Sequence, residues 1–449
     1  MNPSSFEPTE RFQSKLHFLF ATWEGGGNIP PAISVARKLA RKGHRVSFMS
    51  DSCSRAAAEA AGLEFVSWEK APNRADKTPA TCPVRDWEAT EPMGDIALLR
   101  DRIMFGPAGL YARDVLKFTA CERPDLIVSS EMLPGVLLAA EAGGTPCVML
   151  GGNVSFVPIP GIPPLGPGLA PARNEEERAQ HAAIEQHTAE FFNAGLPDLN
   201  AARASLGLAP LADVAGQFRA ASHYLLATSP SFDFPADFLP PHIDYVGPQL
   251  EDPDWARAWD SPWSADDPRP LVLVAFSTTF MDHGDTIRET LQALARLPVR
   301  GLATLGPGMA GESFPVPANV HLCASAPHSL LLRSASAVIT HAGHGTTIRS
   351  LAAGVPLLCL PMGRDQNDNA IRVTARGAGI SLSRHAPAEE IERAMRELLT
   401  EPSYRKAAQA LGAAIVRDAE RLDAASRIED LAYETLTLRP NEPLAAGIA

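Results

Sequence analysis

Residues 338–349 read Val-Ile-Thr-His-Ala-Gly-His-Gly-Thr-Thr-Ile-Arg, and they are the most informative segment of the chain. A β-prone run leads into a turn of small residues, and a helical pattern opens directly after the turn. Backbone N–H groups at such a helix start point outward at the positive end of the helix dipole, which suits a diphosphate. Glycine is also required there for close helix–strand packing, so the turn taken alone is a weak signal.

The following segment strengthens the prediction of a ligand site. Residues 354–361 form the next apolar strand, and Asp365 and Gln366 come just past its C-terminal end. Ligands of open α/β sheets bind at that edge. A carboxylate and a carboxamide there can accept from and donate to sugar hydroxyls. The alternative for Asp365 is a cap on the helix that follows.

Strand-length apolar runs alternate with helical patterns through both halves of the chain, as in βαβ units of buried parallel sheets. Between them, prolines accumulate and the periodicity breaks down. We predict an α/β fold with a first domain at residues 1–237, a Pro-rich linker at 238–268 and a second domain at 269–449, whose C-terminal helix packs back. Residues 158–171, rich in proline and glycine, should form a loop at a substrate rim.

Composition excludes several classes of protein. The formal net charge of −12 and pI near 5.5 argue against a nucleic-acid partner, which would need a concentrated basic surface. Six cysteines without metal-ligand or disulfide-framework spacing indicate no metal site and a reducing cytoplasm. The apolar runs are of strand length, so no membrane span is expected.

Taken together, these residues resemble the donor-site signature of family 1 glycosyltransferases of the bacterial macrolide and antibiotic type. The resemblance rests on the 341–347 run, Gly354-Val-Pro, Leu360-Pro and Asp365-Gln366 with Asn369. It extends over nearly the whole chain and implies the GT-B fold, in which two Rossmann-like domains with parallel sheets face each other. It also implies a metal-independent, inverting transferase that uses a nucleoside-diphosphate sugar as co-substrate and no bound cofactor.

Donor-binding residues follow from the same resemblance. The diphosphate would contact the turn after residue 340 and the loop after the first strand of the second domain. The nucleobase of the donor would contact a turn near residue 326, and the transferred sugar would contact the Asp-Gln pair. These residues are Thr278, Thr279, Ala326, His328, His341, Gly343, His344, Gly345, Thr346, Asp365 and Gln366. A histidine beside the diphosphate stabilises the charge that develops on this leaving group, so His341 is also predicted to be catalytic.

The residue at the predicted ribose-binding position differs from that in the plant members of the family. There, a glutamate eight residues after the first histidine of the motif binds the ribose hydroxyls, whereas this chain has Arg349. A deoxyribose has no 2′-hydroxyl to bind, so the departure favours a dTDP sugar over a UDP sugar.

The catalytic dyad of the family is also missing. Gly27 stands where the family has histidine, and Ser130, followed by Glu131, stands where it has aspartate. Glu24 is the first-choice base because it lies at the end of the first strand, and Glu131 is the second. The alternatives are that Glu24 braces the adjacent glycine turn through backbone hydrogen bonds, or that an acidic acceptor needs little base assistance.

Residues 25–28 carry the acceptor-side prediction. Gly26, Gly27 and Asn28 would let an acceptor approach the backbone closely. A dinucleotide-binding interpretation of this glycine run is disfavoured because Gly-x-Gly-x-x-Gly spacing is lacking and two prolines follow.

The sequence therefore predicts a glycosyltransferase that moves a sugar from dTDP or UDP to a small hydrophobic natural product. A catalytically silent sugar-nucleotide-binding helper and a nucleotide-sugar epimerase of the same fold remain as alternatives. A homodimer is left open.

Overall fold

The computed structural model describes residues 15–91, 93–251, 260–264, 266–277, 279–309 and 311–438. Within them, a first parallel sheet contains seven strands, in the order β3-β2-β1-β4-β5-β6-β7. The strands are β1 His17–Ala21, β2 Arg45–Ser50, β3 Glu64–Ser67, β4 Leu126–Ser130, β5 Cys147–Gly151, β6 Tyr224–Leu226 and β7 Ile243–Tyr245.

A second parallel sheet has six strands in the order β10-β9-β8-β11-β12-β13. They are β8 Leu271–Ala275, β9 Arg300–Thr304, β10 Val320–Cys323, β11 Ala335–Thr340, β12 Leu357–Cys359 and β13 Gly379–Ser381. Each sheet thus reverses its strand order once, between β1 and β4 and between β8 and β11, which is the doubly wound arrangement with a binding crevice at each reversal. The α/β prediction is confirmed.

Helices cover the sheets on both faces. The first-half helices are α1 Ile29–Arg41, α2 Arg55–Ala60, α3 Gly94–Leu99, α4 Ala108–Glu122, α5 Pro134–Gly143, α6 Glu175–Asn193 and α7 Leu196–Ser205. The others are α8 Gly284–Ala295, α9 His328–Leu332, α10 His344–Ala352, α11 Gln366–Thr374, α12 Ala388–Thr400, α13 Pro402–Arg421 and α14 Ala424–Leu438. None of these described helices is long and apolar enough to cross a membrane.

Buried strands explain the apolar runs of the sequence. All five residues of β1, β4, β5 and β8 are buried, as expected for parallel strands covered on both faces. The short edge strands β3 and β13 are partly exposed and carry too few apolar residues for a sequence signal.

The range predicted as a linker needs a correction. β7 pairs in parallel with β6, Leu226 opposite Tyr245, so the first sheet continues into the segment expected at 238–268. Residues 252–259 and 265 of that range lie outside the described residues. The last helix, α14, returns to the first half, where Ile428 and Leu431 join Phe18 and Leu39 in one apolar core.

Candidate donor and acceptor site

Three loops of the second half converge where its strand order reverses. β11 lies between β8 and β12, with Thr340 aligned with Ala275 on one side and Cys359 on the other. The loops that leave these three strands therefore begin side by side at one edge of the sheet. This edge, beside the reversal, is where open α/β sheets bind ligands.

Each of these three loops contains a non-glycine residue in the left-handed backbone region. The φ angles are 48° for Asp282, 64° for Ala342 and 55° for Arg364. Such conformations cost about 1–3 kcal/mol each and cluster at functional sites. The three neighbouring loops are thus held in shapes that their residues do not favour by themselves.

His341 lies at the end of β11 with its ring packed under the turn. A Cβ atom at residue 343 would be 2.4 Å from His341 Nε2, so only glycine leaves room for the imidazole there. Burial, together with the charges of His283 and Arg364, lowers the His341 pKa to about 3. His341 is therefore neutral at pH 7 and carries one ring N–H, and its ring is hydrogen-bonded to the backbone of Ala275.

His344 has a different position from the one expected of a donor ligand. Its Nε2 atom is 2.7 Å from Oγ1 of Thr228, which follows β6 of the first sheet. The imidazole is therefore engaged between the two halves of the molecule. What remains available to a donor is the first turn of α10, where the backbone N–H groups of Gly345 and Thr346 lie.

The Asp-Gln pair begins α11. Asp365 makes no side-chain cap hydrogen bond with the helix, so the capping alternative does not describe its contacts. Instead, Asn369 Nδ2 donates to Asp365 Oδ2 at 2.7 Å and to the Ala342 carbonyl at 3.0 Å, which joins the loops after β11 and β12. The Gln366 amide oxygen accepts from the Met362 N–H at 2.7 Å.

The remaining predicted donor residues lie on neighbouring loops. Thr279 follows β8, and its Oγ1 atom is 3.0 Å from Ser277 Oγ. Thr278 lies outside the described residues. Ala326 and His328 are half-buried in the turn after β10, at the outer end of the sheet, and His328 begins α9.

In the first half, both carboxylate oxygens of Glu24 have partners, one in its own turn and two in segments that follow β2 and β3. Oε1 accepts from the Gly26 N–H at 3.0 Å, while Oε2 accepts from Ser54 Oγ and lies 2.9 Å from Lys77 Nζ. The side chain of Asn28 likewise braces the turn, because its Nδ2 donates to the Trp23 carbonyl at 2.8 Å. These contacts are those of the bracing alternative rather than of a base facing an acceptor.

The environment of Glu131 differs from that of Glu24, because one of its carboxylate oxygens has no hydrogen-bond partner in the described part of the chain. Glu131 follows β4, at the reversal of the first sheet, and its buried Oε2 atom has no hydrogen-bond partner among the described residues. Burial, together with the charge of Asp365 from the second half, raises the Glu131 pKa to about 7. The preceding residue, Ser130, lines a shallow open pocket together with Thr22 and Asn28.

Several contacts cross between the halves around this site. Asp365 is hydrogen-bonded by the side chain of Asn153, which follows β5. In the loop predicted at a substrate rim, the N–H groups of Gly166 and Gly168 donate to the Asp368 carboxylate at 2.7 and 3.3 Å. Sequence reasoning missed Asp368, although its position three residues after Asp365, on the same helical face, was a usable signal.

A doubly wound pair of parallel sheets, with a helix start, a neutral histidine and an Asp-Gln pair at the second reversal, is the arrangement of a two-sheet α/β protein with a ligand site at that edge. The family model for the C-terminal domain of erythromycin biosynthesis protein CIII-like proteins matches residues 288–431. The chain is 30% identical to 4′-demethylrebeccamycin synthase of Lentzea aerocolonigenes, over 92% of this chain and 99% of that protein.

This chain belongs to the antibiotic-biosynthesis glycosyltransferases of the GT-B fold. Demethyllactenocin mycarosyltransferase of Streptomyces fradiae is 24% identical, over 94% of this chain and 88% of that enzyme. The glycosyltransferase of kitacinnamycin superposes with a TM-score of 0.71 and 19% identity, over 94% and 99% of the two chains. Glycosyltransferase VinC in complex with dTDP superposes with a TM-score of 0.63 and 19% identity, over 94% and 100%. The resemblance stated from the sequence is confirmed.

Proposed function

We propose that this enzyme transfers a sugar from a dTDP- or UDP-linked donor to a hydroxyl group of a hydrophobic natural product, with inversion at the anomeric carbon and without a metal ion. Family membership supports the transfer, and the dTDP complex of the VinC structure supports a nucleoside-diphosphate donor. The donor lies over the turn after β11, and the acceptor enters from the first half.

The environment of Glu131 is the observation that carries the proposal. A general base works best with a pKa near the operating pH, and burial raises the Glu131 pKa to about 7. One of its carboxylate oxygens has no partner among the described residues and can accept a proton from an acceptor hydroxyl. Glu131 is therefore favoured over Glu24, whose two oxygens both have partners within the first half.

Glu131 and the donor turn belong to different halves, which supports an in-line displacement between them. Glu131 removes the acceptor proton as the acceptor oxygen forms its bond to the anomeric carbon. The bond between that carbon and the diphosphate breaks on the far side, and its electron pair stays with the diphosphate. The sugar is therefore inverted, and no covalent enzyme intermediate is formed.

The second half supplies the groups that hold the donor. Asp365 and Gln366 bind hydroxyls of the transferred sugar, because carboxylate and carboxamide groups match hydroxyl donors and acceptors. His341 and the free N–H groups of the first turn of α10 bind the diphosphate. Arg349, in place of a ribose-binding glutamate, favours the deoxyribose of dTDP.

Apolar side chains on the first-half side support a hydrophobic acceptor. Met132, Phe156 and Val157 are only partly buried, and they pack on the first-half core beside the residues that follow β4 and β5. Gly27 is exposed, and the space where a Cβ would stand is open for at least 4 Å. An acceptor can therefore contact the backbone of this turn directly.

Donor consumption tests the proposal against both rivals. The enzyme is incubated with dTDP- and UDP-sugars, with and without a panel of hydrophobic acceptors, and released nucleotide and glycoside are quantified. A transferase consumes donor in proportion to glycoside formed, and the product anomer, read by NMR, is inverted. A silent helper consumes no donor under any condition, and an epimerase changes the donor without acceptor; either result contradicts the proposal. Activity that survives a chelator supports the metal-independent step.

A further inference from the structure

Both histidines of the donor turn are neutral in the free enzyme, which leaves the charge of the leaving diphosphate without a matching cation from the turn itself. Burial lowers the pKa of His341 and of His344 to about 3, and the His344 ring is engaged with Thr228. Neutral imidazoles and backbone N–H groups donate hydrogen bonds but carry no net charge. In segments 341–346 and 361–369, the one side chain with a permanent positive charge is Arg364.

The position of Arg364 is fixed by the contacts around it. It immediately precedes Asp365, which Asn369 joins to the Ala342 carbonyl, so the loop of Arg364 lies against the turn of His341. On its other side, Arg364 Nη1 donates to the carbonyl of Gly25, in the first-half turn, at 3.5 Å. The guanidinium therefore lies between the donor turn and the acceptor turn.

The backbone of the loop supports a specific role for this residue. Arg364 has a φ angle of 55°, which disfavours any side chain with a Cβ. It follows Gly363, at a φ angle of 145°, where an added Cβ would be 3.3 Å from Asp95 Oδ2 of the first half. The loop is thus held against the first half in a conformation that places the guanidinium beside the Gly25 carbonyl.

We propose, on the basis of the function proposed above, that Arg364 is a further catalytic residue, which binds the donor diphosphate and stabilises the negative charge left on it when the sugar–oxygen bond breaks. Arginine suits this task because its planar fork matches phosphate oxygens and stays charged at all working pH values. The cation replaces the charge that a metal ion or protonated histidine would otherwise supply. Its contact with Gly25 also links diphosphate binding to the turn that receives the acceptor.

The test separates charge from structure by comparing two substitutions. Arg364→Gln and Arg364→Lys both keep a Cβ at the same φ angle, so the backbone cost is matched, but only lysine keeps a charge. Calorimetry measures the binding of whichever of dTDP and UDP the wild-type enzyme prefers, together with the matching nucleoside monophosphate. Arg393→Gln, at an exposed position on α12, is the control.

Arg364→Gln should weaken diphosphate binding by about tenfold or more, as expected for a lost charge-assisted hydrogen bond, and should lower kcat by at least as much. Arg364→Lys should restore part of the diphosphate affinity and part of kcat, while monophosphate binding changes less than twofold. Equal weakening of mono- and diphosphate binding, or unchanged diphosphate affinity and kcat in a folded Arg364→Gln enzyme, overturns the inference. The wild-type enzyme separates the two proposals, since failure to bind either diphosphate or to turn over donor would contradict the proposed function itself.

Discussion

The side chains of Thr228 and His344 meet at 2.7 Å and join the end of β6 in the first sheet to the first turn of α10 in the second half. Both residues are buried. Burial lowers the His344 pKa from its ordinary value of 6.5 to about 3, so the contact exists with a neutral imidazole. The donor turn is thereby coupled to the first half through a group that protonates more readily in the unfolded chain.

The difference between the His344 pKa in the folded chain and in the unfolded chain predicts a fold that acid destabilises. The folded-state pKa of His344 is below its unfolded value, so its contribution to stability is complete above pH 6.5 and is lost as pH falls toward 3. His344→Gln keeps a hydrogen-bonding side chain and removes the titration. The free energy of unfolding, measured in urea between pH 6.5 and 4, should then fall less steeply, by up to about 1.4 kcal/mol per pH unit. His187→Gln, exposed on α6, should leave the slope unchanged.

His341→Ala should lower kcat at least tenfold, because removal of a single donor to a charge that develops in the transition state has effects of this size or more. Gly343→Ala should reproduce most of the loss, since its Cβ would be 2.4 Å from His341 Nε2 and the ring would have to move. Steady-state kinetics of both single variants and the double variant measure this. Because both changes act on one imidazole, the double variant should be little worse than His341→Ala; additive losses would contradict that.

The two glutamates of the first half should respond differently to the same change. Glu131→Gln removes the proposed base, so kcat should fall about 10²–10⁴-fold with little change in melting temperature. In the wild-type enzyme, kcat should decline as pH falls below about 7, where Glu131 becomes protonated.

Glu24→Gln provides the matched comparison. It should lower the melting temperature because the amide keeps only one of the two acceptor oxygens and removes the negative charge that pairs with Lys77. Its pH–rate profile should keep the acid limb. If Glu24→Gln lost the acid limb of the pH–rate profile and kept a stable fold, the base would be Glu24 instead. Full activity of both variants would favour an acidic acceptor.

Substitution of Asp365 or Gln366 should alter donor preference more than acceptor preference. A buried polar group left unpaired by the wrong sugar costs about 1–3 kcal/mol, which is enough to reorder a set of donors. Asp365→Asn and Gln366→Glu, assayed against matched panels of donors and acceptors, measure both preferences. A reordered acceptor panel with an unchanged donor ranking would place the sugar elsewhere.

Arg349 leads to a prediction about the nucleotide. dTDP should bind at least as tightly as UDP, and Arg349→Glu should shift the preference toward UDP by restoring a ribose-binding carboxylate. Calorimetric titration of both nucleotides into both proteins provides the comparison. A wild-type preference for UDP of more than tenfold, about 1.4 kcal/mol, would mean that another group binds the 2′-hydroxyl.

The sequence predicted the fold class and family because both depend on local patterns. Buried parallel strands such as β1 and β8 are continuous apolar runs, and the 341–347 turn is contiguous. The contacts of Glu24 and His344 could not be predicted, since they depend on Ser54, Lys77 and Thr228, which are distant in sequence. Edge strand β7 was included in the linker because its three residues give too short a pattern.

The return of α14 to the first half determines when the first half can finish folding. Ile428 and Leu431 complete the apolar core around Phe18 and Leu39, and Glu429 lies 2.6 Å from Lys42 and 3.0 Å from His44. Chains emerge from the ribosome at about 5–20 residues per second, and domains generally fold as they appear. Here the half that is made first must wait until the second half and α14 have also been made before its apolar surface is covered. The nascent N-terminal half therefore exposes apolar surface to chaperones until α14 has been made.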